Sequence, residues 1–143
     1  MDSYPKKSRI LHKKSELMKK ELFKIDYELK NGAAGLLWKL ISTPSGLSEW
    51  FAEDVEKKNN VLSFKWGDTI QKANIVSITP GSSIKLHWED EPEEYYFEFR
   101  IDHSELTRAV VLSIIDFADA SEQKSSIELW NSQVEALTRR SGM

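Results

Sequence analysis

SEQKSSIELWNSQVEALTRR, residues 121–140, places Ile127, Trp130, Val134 and Leu137 at i, i+3, i+7 and i+10. That is one apolar stripe of a 3.6-residue period among mostly polar positions. Asp119 with Glu122 three residues on reads as a capping pair. Arg139 and Arg140 suit the negative end of the helix dipole, and Gly142 is a stop signal. This is the one long amphipathic helix after the first residues, and it comes last. A helix with a single stripe cannot bury itself, so it needs a sheet to lie on.

The chain before it supplies that sheet. Thr107–Phe117 reads as the last strand, and its apolar run Ala109–Leu112 makes it central. Ahead of it, Tyr95, Phe97, Phe99 and Ile101 alternate with Tyr96, Glu98 and Arg100. Ile84, Leu86 and Trp88 alternate with Lys85 and His87, and Leu62, Phe64 and Trp66 with Ser63 and Lys65. Lys72–Ile78 and Glu53–Glu56 are two further strands. Turns fall at Lys57–Asn60, Gly67-Asp68, Thr79–Ser82 and His103–Glu105, and the acidic run Glu89–Glu94 is a solvated hairpin loop. Connections this short call for an antiparallel meander.

Two short helices, residues 33–41 and 45–51, precede the meander. They meet at Thr43-Pro44, where Pro44 disfavours helix before it but suits the first turn of a new one. The first strand comes earlier still: Phe23, Ile25, Tyr27 and Leu29 alternate with charged residues up to Asn31-Gly32. The expected architecture is α+β: a curved antiparallel sheet of six or seven strands, two short helices after strand one, and a long final helix across the sheet.

Composition narrows the function classes. The 143 residues are 40% hydrophobic and 30% charged, ordinary values for one globular domain. No cysteine is present, which excludes disulfides, thiol catalysis and cysteine metal sites. No apolar run approaches a membrane span, and no secretory signal pattern is visible, so a cytoplasmic location is expected. The net charge of −3 is uneven. Residues 1–20 form a basic extension, expected to be flexible, ahead of a single domain over 21–140. Met18 opens a segment running straight into the first strand, so it is a candidate start of the native chain. The acidic body argues against a nucleic-acid face.

The local sequence resembles a known family. LWKLISTPSGLSEWFAEDV, residues 37–55, resembles the helix–helix segment of the chaperone ATPase activator-homologue branch of the START-like, helix-grip superfamily. The acidic loop followed by YYFEFRI (95–101), the strand end IIDFA (114–118) and Leu129-Trp130 resemble small START-like proteins of Bacteroidetes-type bacteria. The resemblance covers about residues 21–140. It implies a helix-grip fold with an apolar ligand cavity between the long helix and the sheet.

By that resemblance the cavity lining comes from Trp38, Trp50, Phe51, Phe64, Trp66, Trp88, Phe97, Phe99, Trp130 and Val134. The same residues are also bulky enough to fill the space completely. Catalysis is not expected. His12 lies in the basic stretch, His87 is out of phase with the inward residues of its strand, and His103 falls in a turn. Tyr96, Glu98 and Arg100 alternate away from Phe97 and Phe99, which leaves Tyr95, Tyr27 and Asp116 as further polar positions. The acidic run lacks the ligand spacing of a calcium loop, and no metal or cofactor is expected. Three readings follow: a noncatalytic binder of a small apolar ligand, a protein-interaction module with a filled core, and a cyclase-like enzyme.

Overall fold

The computed structural model describes residues 19–143. His12, Met18 and most of the basic stretch lie outside the described residues. The elements, in order, are β1 (Glu21–Leu29), α1 (Ala34–Ser42), α2 (Pro44–Trp50), β2 (Asp54–Lys58), β3 (Val61–Trp66), β4 (Thr69–Thr79), β5 (Ser83–Trp88), β6 (Phe97–His103), β7 (Val110–Ala118) and α3 (Gln123–Ser141). The sheet is seven-stranded and antiparallel, in the order β1-β7-β6-β5-β4-β3-β2. The α+β helix-grip expectation therefore holds: β2 to β7 form a meander, and β1 closes against β7.

Register puts the alternating apolar residues on one face. Ile25 stands opposite Ile114, Ile114 opposite Phe99, Phe99 opposite Ile84, Leu86 opposite Phe97, and Ala73 opposite both Trp88 and Leu62. A one-residue slip would turn every one of these outward. The long helix α3 lies on this face and buries Trp130, Gln133, Val134, Ala136 and Leu137.

The joint between the short helices is tight. Thr43 is the N-cap of α2; its hydroxyl accepts from Gly46 N at 2.9 Å and donates to the Lys39 carbonyl at 2.7 Å. Gly46 sits so close to α1 that an added Cβ would lie 1.9 Å from the Lys39 oxygen. Only a residue without a side chain allows that approach.

Several boundaries differ from the sequence expectation. Helix α3 begins at Gln123, not Ser121, and Glu122 is its N-cap with no side-chain cap bond. The Asp119 carboxylate is engaged by Ser121 N, Ser121 Oγ and Glu122 N, so it organises the turn before the helix and does not cap it reciprocally. Strand β4 starts at Thr69, and a register shift between Ile75 and Ser77 marks a bulge. Strand β6 starts at Phe97 because Tyr95 N bonds back to the Pro92 carbonyl at 3.1 Å in the preceding turn. Strand β7 starts at Val110 because a loop closes before it: Arg108 has φ 65°, and Ser104 N reaches the Ala109 carbonyl. His103 ends β6 instead of lying in a turn.

Candidate functional site

The expected lining residues converge between α3 and the sheet. All of them except the half-buried Trp38 are buried: Trp50, Phe51, Phe64, Trp66, Trp88, Phe97, Phe99, Trp130 and Val134. Their rings meet one another. Phe51, just past the end of α2, lies at the centre. Its ring is 5.0 Å from that of Phe64, 5.5 Å from Trp66, 5.9 Å from Phe99 and 5.9 Å from Trp130, and it also contacts Trp50 and Phe97. Beyond it, Trp88 stacks on Phe97 at 4.9 Å. Edge-to-face and offset-stacked pairs of this kind each contribute about 0.5–1.5 kcal/mol beyond their burial.

Three indole N–H groups are satisfied inside this cluster. Trp50 Nε1 donates to the Leu40 carbonyl at 2.8 Å, Trp66 Nε1 to the Phe51 carbonyl at 2.9 Å, and Trp130 Nε1 to Asp116 Oδ2 at 2.9 Å. These bonds tie α1 to α2, the turn after α2 to β3, and α3 to β7. Two amides in the same layer are less well served. Both side-chain polar atoms of Gln71 and the Oε1 of Gln133 are buried without a hydrogen-bond partner. Gln133 Nε2 reaches the Phe51 carbonyl only at 3.4 Å.

Three spaces among the described residues border this helix–sheet layer. A crevice of about 10 Å³ lies between Lys20, Trp88, Glu91, Tyr95 and Asp116. It is water-sized. An open groove of about 620 Å³ runs between α1, α2 and the end of α3, past Leu36, Lys39, Glu49 and Arg140. A cleft of about 380 Å³ separates β1 from α3, between Asp26, Glu28, Leu29, Val134 and Glu135.

The small crevice holds an ion pair. Lys20 Nζ lies 2.6 Å from Glu91 Oε1, with both side chains buried, and Lys20 N donates to the Tyr95 hydroxyl at 3.2 Å. This corrects the reading of Glu89–Glu94 as a wholly solvated loop: Glu91 turns inward because a buried cation is there to meet it. His87 Nδ1 lies 2.7 Å from the Tyr95 carbonyl, which fixes the loop that carries the pair.

The other polar positions stay apart. Arg100 and His103 are exposed, and Tyr96 packs outward between Phe117 and Lys85. Tyr27 donates to Asn131 Oδ1 at 2.6 Å, and partial burial pushes its phenol up to about 12. Among the described residues, no three His, Asp or Glu side chains gather as a metal site. Among the described residues, no helix is long and apolar enough to cross a membrane. Neither the Lys20–Glu91 pair nor the β1–α3 cleft was evident beforehand. The first joins residues 71 positions apart with no local signal. The second had one clue, Asp26 and Glu28 on the outer phase of β1.

With this geometry in view, the chain can be set beside known proteins. A model described as a START-like superfamily domain matches residues 17–143. A Bacteroides fragilis protein solved by solution NMR is 42% identical over 85% of this chain and 91% of its own, with a TM-score of 0.63. DynU16, from a dynemicin biosynthetic locus, has a TM-score of 0.68 at 15% identity; the match covers 82% of this chain but 46% of DynU16. The Aha1 dimer of Colwellia psychrerythraea has a TM-score of 0.57 at 12% identity, over 84% of this chain and 90% of that one. The last two likenesses are of fold alone. Among curated proteins, none matches.

Proposed function

The chain belongs to the START-like superfamily, and from that premise we propose that it is a noncatalytic recognition domain with a filled interior that meets a protein partner across its surface. One observation carries the reading. The Phe51 ring occupies the space between helix and sheet where the fold otherwise holds an apolar ligand, and aromatic rings surround it. A domain with its interior so occupied has only its outside to offer. We take the domain proper to begin at Glu21, with Lys20 holding the end of the preceding stretch against it.

A second reading is a small-ligand carrier, and the unpartnered Gln71 amide and Gln133 Oε1 favour it. A buried amide without partners is costly, and a ligand with its own donor and acceptor would relieve that cost. Native mass spectrometry of freshly purified protein, followed by denaturing extraction, separates the two. The filled-interior reading expects the mass of the bare chain. A stoichiometric adduct of a few hundred daltons, lost when Phe97 is substituted, would overturn it in favour of the carrier.

A further inference from the structure

Strand β1 is an outer strand of the sheet: β7 pairs with one of its edges, and among the described residues no strand pairs with the other. An unpaired edge presents a row of backbone N–H and C=O groups to any extended chain that comes beside it. The second half of this edge runs beside a helix. Tyr27 on β1 bonds Asn131 on α3, and further along the Ala33 N–H meets Met143 Sδ. The strand and the C-terminal half of α3 therefore travel in the same direction, with the 380 Å³ cleft between them. A free edge flanked by a helix is the arrangement by which domains capture a peptide as an additional strand.

The cleft also states which peptide. Its floor is apolar, from Leu29 and Val134, which are 2% and 3% exposed. Glu135 stands on its helix side, Asp26 and Glu28 carry their carboxylates on the outer face of the same stretch of strand, and no lysine or arginine is among the residues that line it. Some of this charge is already engaged: Asp26 accepts from Ser113 Oγ and lies 3.8 Å from Lys24, and Glu28 accepts from Thr107 Oγ1. The Lys24 pair is exposed on both sides and offsets little. We propose that β1 and α3 together form a docking site for a basic, extended peptide segment of about five residues, added as an eighth strand. Alternate side chains of such a segment point to opposite faces. One set meets Asp26 and Glu28 on the outer face, and the other enters the cleft toward Val134 and Glu135.

The inference rests on the surface-recognition reading above, and the experiment separates the two. The probe is a synthetic pentapeptide alternating arginine and valine, blocked at both ends, titrated into ¹⁵N-labelled protein. Expected are amide shifts in Tyr27–Leu29 and Asn131–Thr138, slowed hydrogen exchange along the outer edge of β1, and weaker binding as salt rises. The charge reversals Glu28→Lys and Glu135→Lys, both at exposed positions, should each weaken binding about tenfold while leaving the fold's spectrum intact. Absence of shifts, equal binding of the matching glutamate–valine peptide, or indifference to both reversals would overturn the site. Shifts confined to another face would overturn it too, yet leave surface recognition standing. Only the interior adduct described above removes that broader reading.

Discussion

The rings of Phe51 and Trp130 lie stacked, 5.9 Å apart with planes 17° from parallel, one from the turn after α2 and the other from the middle of α3. Between them they close the interior from opposite sides. Phe51→Ala should cost about 3–5 kcal/mol, the range for removing a large core aromatic. It should also create an apolar cavity. Denaturant melts run with and without a small aromatic such as benzene should show partial rescue in the variant and none in the parent. No rescue would mean that the neighbouring rings collapse into the space.

Trp130 fills space and also donates to Asp116. Trp130→Ala is expected to cost about 3–5 kcal/mol. Trp130→Phe keeps most of the ring but removes the donor, and should cost about 1–3 kcal/mol. A loss under about 1 kcal/mol for the alanine variant would place the side chain outside the packed core. Chemical denaturation with matched m-values is the measurement.

Two glycines predict opposite signs. Gly46→Ala drives a methyl group into the Lys39 carbonyl, and should destabilise by about 1–3 kcal/mol or force α1 and α2 apart. Gly35 lies inside α1 with nothing within 4 Å of an added Cβ. Gly35→Ala should therefore stabilise by about 0.5–1 kcal/mol. Paired thermal melts test both.

The buried Lys20–Glu91 pair should respond asymmetrically. Lys20→Met or Glu91→Leu alone strands a charge out of water, at a cost of about 3–5 kcal/mol. The double replacement removes both charges and should recover most of that loss. A double-mutant cycle with no coupling would show that the pair contributes nothing.

Tyr27 ties stability to alkaline pH. Its phenol is raised from 10.0 to about 12 by burial. The unfolded chain therefore loses this proton first. The group's contribution is intact below pH 10 and is lost as pH climbs toward 12. Tyr27→Phe should remove that part of the alkaline decline. Identical pH profiles for variant and parent between pH 10 and 12 would refute the assignment.

Much of this architecture could be read in the sequence because periodicity carries it. Alternation at Phe97 and Phe99 or Ile84 and Leu86 states a face directly, and Ile127, Trp130, Val134 and Leu137 state a helix stripe. Boundaries were less legible where one side chain redirects the backbone, as Asp119 does before α3. Whether Phe51 fills the interior depends on ring orientations set by four separate elements, and no spacing encodes that. Lys20 and Glu91 find each other only after the sheet has formed.

The pairing of β1 with β7 also bears on how the chain is made. Glu21 stands opposite Ala118, and everything between them must be synthesised before the two strands can meet. At roughly 5–20 residues per second, that delay is on the order of 5–20 seconds on the ribosome. Throughout it, Phe23, Ile25 and Leu29 have no sheet to join. The meander from β2 to β6 can assemble from near neighbours while β1 waits, and the final helix arrives last to cover the shared face. Birth order and spatial order run opposite at this edge, so a truncated or stalled chain ending before β7 should be a prime target for chaperones and proteases.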